Sequence, residues 1–314
     1  MRKLLLLPLA MLAALPFLRP LLGPHSVSAD TISAAYQTPF AKPEGPLKVF
    51  HLGHSLVGRD MPAMLAQLAG QGHDHNSQLG WGTSLKEHWK GPAAINGFEA
   101  ENDHPRYRDA RQAVSSGDYD AVILTEMVEL KDAIKYHQSG KYLTRWANLA
   151  RNARPDTRIY LYETWHRLDD PAGWLERLDV DLADLWEARV LAPDLSGNGA
   201  QNPVRVIPAG QVMAAFVRAV EVKGGVGNIQ NRESLFARDA AGALDAIHVN
   251  DLGAYLVALT HYAVLYHRSP EGLPHQLLRA DGTRADAPSA QAAALMQRIV
   301  WQVVTTYDKT GVAQ

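Results

Sequence analysis

Three residues combine into a set that supports nucleophilic catalysis: Ser55 in "FHLGHSLVGRD", and Asp245 and His248 in "LDAIHVNDLGAYLVALTHY". A serine hydroxyl is a weak nucleophile until a base takes its proton. Imidazole does this best when a carboxylate fixes its tautomer and steadies the imidazolium. Asp245 and His248 stand three apart, so one turn of chain can deliver both groups to one site. Ser55 lies between Gly53 and Gly58, where the apolar "LKVFHL" reads as a strand giving way to a helix. Backbone amides that open such a helix are placed to donate to an oxyanion. Each segment also has an ordinary reading: a strand-end serine often caps the next helix, and so does an aspartate beside a surface histidine.

"GHDHN" gathers His73, Asp74 and His75, but adjacent loop residues rarely converge on one ion without ligands from elsewhere, so no metal is expected. "YETWHR" follows an apolar run, so Glu163, Trp165 and His166 are candidates to line a pocket for a sugar-like substrate; a core tryptophan beside a satisfied polar residue fits as well. No glycine cluster fits a dinucleotide fingerprint or a phosphate loop, and no cofactor is expected. Around Ser55 the spacing is not G-x-S-x-G, because Leu56 and Val57 precede Gly58.

The elements that must position these groups alternate along the chain. "LKVFHL", "DAVILT", "RIYLYE" and "VRVIPA" read as strands, each short and apolar as strands buried on both faces are. "MPAMLAQLAGQ", "YLTRWANLARNA", "GWLERLDVDLADLWEARVL", "GQVMAAFVRAVEV", "DLGAYLVALTHYAVLYH" and "SAQAAALMQRIVWQVVTTY" read as helices. Such alternation predicts an α/β fold with a mainly parallel sheet between two helical layers, and a ligand site beyond the carboxyl ends of the strands. The residues to inspect are then Gly53 to Ser55, Thr125 to Met127, Glu163 to His166, and Ala209 to Gln211.

Taken together, the blocks resemble the SGNH (GDSL-type) hydrolase superfamily. "GHSL" is similar to its serine block, with His54 where aspartate is common, and "DAIHVNDLG" to its Asp-x-x-His block. "LGWGTSLKEHW" is similar to its second block, with Gly82 aligned to the glycine whose amide faces the oxyanion. The agreement runs over residues 47–267. It implies a flavodoxin-like three-layer domain, a Ser55–His248–Asp245 triad, and an oxyanion hole from the amides of Ser55 and Gly82. The third block departs: "ILTEMVEL" has no asparagine, which leaves Thr125 as a candidate third donor and places Glu126 beside the pocket. An ionised glutamate can only accept, whereas a threonine hydroxyl can donate.

Composition sets the compartment and the partners. "MRK", an apolar run from Leu4 to Leu18, and small residues at Val27 and Ala29 form the layout of a secretory signal over residues 1–29. The run is shorter than the ~20 residues a membrane-spanning helix needs, and Pro8 and Pro16 interrupt it. Residues 30–46 read as a polar lead-in without periodicity, and residues 47–314 as one domain. The chain has no cysteine, hence no disulfide, thiolate metal site or cysteine nucleophile. With 31 basic and 33 acidic residues and no basic stripe, nucleic acid is not an expected partner. The expectation is an exported, periplasmic or extracellular serine esterase acting on a small-molecule or carbohydrate ester. The alternatives are a polysaccharide O-acyltransferase with the same triad and a non-catalytic carbohydrate-binding protein.

Overall fold

The computed structural model describes residues 29–313, so the expected signal segment, but for Ala29, lies outside the described residues. Five strands form one parallel sheet: β1 (Lys48–Leu52), β2 (Asp74–Gln78), β3 (Ala121–Thr125), β4 (Arg158–Glu163) and β5 (Arg205–Pro208), in the order β2-β1-β3-β4-β5. This is the flavodoxin-like order, with its topological switch point between β1 and β3. A hairpin of β6 (Phe236–Arg238) and β7 (Leu244–Val249) stands apart from that sheet.

Strand residues alternate between two separate cores, as the two-residue period of a strand requires. Val49, Ile123, Tyr160, Tyr162 and Ile207 belong to one core; Phe50, Leu52, Val122, Leu124, Ile159, Leu161 and Val206 belong to the other. The first is covered by helices Asp60–Ala69, Ala209–Val222, Asp251–Tyr266 and Ala290–Thr306, the second by Ala110–Ser116 and Ser139–Ala153. The Asp60–Ala69 helix buries Met61, Met64, Leu65 and Leu68, one helical stripe. In the Asp251–Tyr266 helix every residue from Leu252 onward is buried, which is why its sequence is apolar all round.

Three expectations are corrected. "GHDHN" is no loop, since it leads into the edge strand β2; Gln78 is buried although polar because its side-chain amide finds partners in His88 and the Ala110 amide. The lead-in contains a helix, Ala29–Tyr36, and Tyr36 is buried with its hydroxyl donating to the Val204 carbonyl at 3.0 Å. The Asp-x-x-His segment lies within a strand, β7, as a bulge in its ladder rather than as a free-standing turn. Among the described residues no helix is long and apolar enough to cross a membrane.

Candidate active site

Leu52 pairs with Gln78 on one side and Leu124 on the other, so β1, β2 and β3 end together and the segment after β1 emerges at the switch point. Ser55 lies there, partly exposed. Its hydroxyl is 2.9 Å from His248 Nε2, and His248 Nδ1 is 2.7 Å from Asp245 Oδ2. A carboxylate only accepts, so Nδ1 carries the hydrogen and Nε2 is left to accept the serine proton. Ser55 does not cap the following helix: Arg59 occupies that position, with no side-chain cap.

Residues three apart on a regular strand point to opposite faces. Here the ladder pairs Phe236 with Val249 and Arg238 with Leu244, so Asp245–His248 stand opposite Ala237 alone and loop out of the ribbon. Asp245 Oδ1 closes that loop by accepting the amides of Ile247 at 2.9 Å and His248 at 3.0 Å. Desolvation pushes the Asp245 pKa up, but these two amides and the imidazole outweigh it and hold the carboxyl at about 2. The side chains of His248 and Asp245 keep 45% and 36% of their exposure, so the triad opens directly to solvent.

Two buried histidines hold the serine turn. His54 Nε2 donates to the Glu126 carbonyl at 2.9 Å, and its Nδ1 faces the Leu56 amide. His88 Nε2 donates to the Gly53 carbonyl at 2.8 Å and its Nδ1 accepts from Gln78 Nε2 at 3.0 Å, while the Gly53 amide donates to the Gln78 carbonyl. Burial lowers both pKa values, His54 to about 4 and His88 to about 3, so each works as a neutral donor. Gly53 is required here: a Cβ would come within 2.7 Å of Thr125 Cβ. No local spacing in the sequence marks His88 or Gln78.

The remaining candidates divide. Gly82 is exposed with φ +51°, and among the described residues neither its amide nor that of Ser55 has an acceptor. Thr125 is fully buried against Gly53, and among the described residues its hydroxyl has no hydrogen-bond partner. Glu126 is equally buried; Oε1 accepts the amides of Met127 at 2.8 Å and Leu85 at 3.3 Å, and burial pushes its pKa up to about 7. Glu163 faces the start of the Ala209–Val222 helix, accepting both the amide and the side chain of Gln211 at 3.2 Å. Trp165 is buried and donates Nε1–H to the Ile247 carbonyl at 2.8 Å, and the Leu168 amide donates to Ala246 at 2.8 Å. His166 is buried, 3.1 Å from Asp181. All four side chains are buried rather than open to a pocket; Glu126, through its carbonyl to His54, and Trp165, through Ile247, brace segments of the site, whereas Glu163 and His166 face Gln211 and Asp181. His73 and Asp74 engage Tyr266 and Arg106, and among the described residues no group of three or more potential ligands is arranged for a metal ion.

No protein-family model matches the chain, and no curated protein matches it. Among solved structures it is similar to a DUF4886 family protein from Bacteroides uniformis, with a TM-score of 0.50 at 15% identity, over 83% of this chain and 95% of that one. It is also similar to a protein from Parabacteroides merdae named for its likeness to GDSL lipases, with a TM-score of 0.41 at 11% identity, over 70% of this chain and 95% of that one. The first likeness is one of fold alone. The second is too distant to argue from.

Proposed function

We propose that the chain is a serine ester hydrolase, distantly related to the SGNH hydrolases and exported from the cell. The observation that carries this reading is the continuous line from Ser55 Oγ through His248 to Asp245, at 2.9 and 2.7 Å, assembled from segments 193 positions apart. His248 Nε2 takes the Ser55 proton as Oγ bonds to the ester carbonyl carbon. The oxyanion is received by the amides of Ser55 and Gly82. On collapse the C–O bond to the alcohol breaks, and the imidazolium returns its proton to the leaving oxygen. Water, deprotonated by the same histidine, then attacks the acyl-enzyme and releases the carboxylic acid. Asp245 orients the ring and stabilises its charged form throughout.

The test is burst and steady-state hydrolysis of p-nitrophenyl acetate, butyrate and octanoate by the protein from Asp30 onward, beside Ser55→Ala and His248→Ala. Each variant is expected to lose on the order of a thousandfold or more in kcat. Undiminished turnover by Ser55→Ala would sink the proposal.

A further inference from the structure

Basic residues that form no run in the sequence are gathered on one face by the fold. On the helix Leu85–Lys90, Lys86 and Lys90 stand four apart and share a stripe, while His88 lies on the opposite side and donates to Gly53. Lys86 Nζ donates to the Tyr136 carbonyl at 2.9 Å, which joins this helix to the segment that carries Lys131 and Lys135. Arg111 Nε donates to the Trp89 carbonyl at 3.1 Å, and its guanidinium lies 4.4 Å from the centre of that ring. Arg145 approaches the same ring at 5.6 Å from the helix Ser139–Ala153, with Lys141 one turn before it. These contacts make one continuous surface of four segments.

Its charge is one-sided. All of these cations but the half-buried Lys86 are exposed. Among the described residues none of them lies within salt-bridge distance of a carboxylate. Residues 85–90, 110–116 and 130–145 hold seven lysines and arginines but two acidic residues, Glu87 and Asp132, in a chain whose formal net charge is -2. Glu87 is turned back onto its own helix cap, where it accepts from the Ser84 amide at 2.9 Å. The cations rest on aromatic rings instead: Lys135 lies 4.7 Å from the centre of Tyr136 and Arg145 5.0 Å from that of Tyr142. A ring holds a cation without cancelling its charge. Tyr136 is itself 56% exposed.

We propose that this face docks on an anionic lipid bilayer. Each lysine or arginine near anionic headgroups adds to the attraction, and a cluster of this size is what such a surface recruits. Long basic side chains lay their apolar stems along the interface while their ends reach phosphate, and an exposed tyrosine among them suits the headgroup level. The outer sides of helices make a broad surface rather than a groove, which favours a bilayer over the thread-like backbone of a nucleic acid. Because His88 holds the serine turn from the inner side of the Leu85–Lys90 helix, docking would stand that turn one helix away from the headgroups.

The experiment sediments the protein from Asp30 onward, which lacks the apolar run of residues 4–18, with two kinds of vesicle in about 0.1 M salt. One kind is phosphatidylcholine alone, the other an equal mixture of phosphatidylcholine and phosphatidylglycerol. Binding to the mixed vesicles and not to the neutral ones is expected. Lys131→Gln/Lys135→Gln and Lys90→Gln/Arg145→Gln should each weaken it about thirtyfold. Lys223→Gln/Arg284→Gln, also exposed but on the side of the other core, should bind as wild type. Tm shows that each variant folds. No binding to the mixed vesicles, equal binding to both kinds, unchanged affinity in the first two variants, or equal losses in all three would overturn the proposal. Tighter binding to a short DNA duplex than to the mixed vesicles, lost in the same variants, would give the face to nucleic acid and overturn the bilayer.

Discussion

His54 and His88 show how a residue type can be chosen for what it donates rather than for its charge. Both are buried and neutral, and each gives one N–H to a backbone carbonyl at the serine turn. Trp165 does the same for the histidine strand through the Ile247 carbonyl. Trp165→Phe keeps most of the packing but leaves that carbonyl unpaired, which costs about 1–3 kcal/mol of stability. Because Ile247 precedes His248, the expected kinetic effect is a fall in kcat with KM little changed. Urea unfolding and steady-state kinetics check both; lost stability with full kcat would confine Trp165 to packing.

At the next level, the sheet and its helices decide which strand-end residues face a substrate. β1, β3, β4 and β5 are legible because strands covered on both faces must be apolar. β2 is not, since its polar residues are matched by partners far away, such as Ala110, whose amide donates to Gln78. Position after a strand was readable for Glu126, Glu163, Trp165 and His166, but side-chain direction was not, because it depends on helices that pack over them. Likewise the bond from His88 to Gly53 joins residues 35 positions apart and leaves no local mark. Glu163 makes this burial measurable. Desolvation raises its pKa from 4.5 to about 8. The folded chain thus binds that proton more tightly than the unfolded one, so the stabilisation is full below about pH 4.5 and is lost as pH rises through about 8. Glu163→Gln cannot ionise. From pH 5 to pH 9 the wild-type Tm should fall relative to that of the variant, and a constant difference would show that Glu163 does not titrate in this window.

Over the whole molecule, the candidate site depends on closure between distant parts of one chain. The N-terminal helix contributes at the far end of β5: Arg205 is buried, its side chain donating to the carbonyls of Tyr36 and Thr38. Residues close behind the expected export signal are thereby tied to the sheet. The β6–β7 hairpin contributes at the other end, and its turn at Ala240–Gly242 is exposed, with Gly242 at φ +84°. All of the proposed chemistry is divided at that turn, the nucleophile on one side and the base with its carboxylate on the other. The later portion also carries the wholly buried Leu252–Tyr266 face, which has no cover unless it docks. Severed there, the protein becomes a two-piece complementation reporter. Fragments 30–240 and 241–314 should each be inert toward p-nitrophenyl acetate and should regain turnover on co-expression, whereas turnover by either piece alone would break the assignment of the triad.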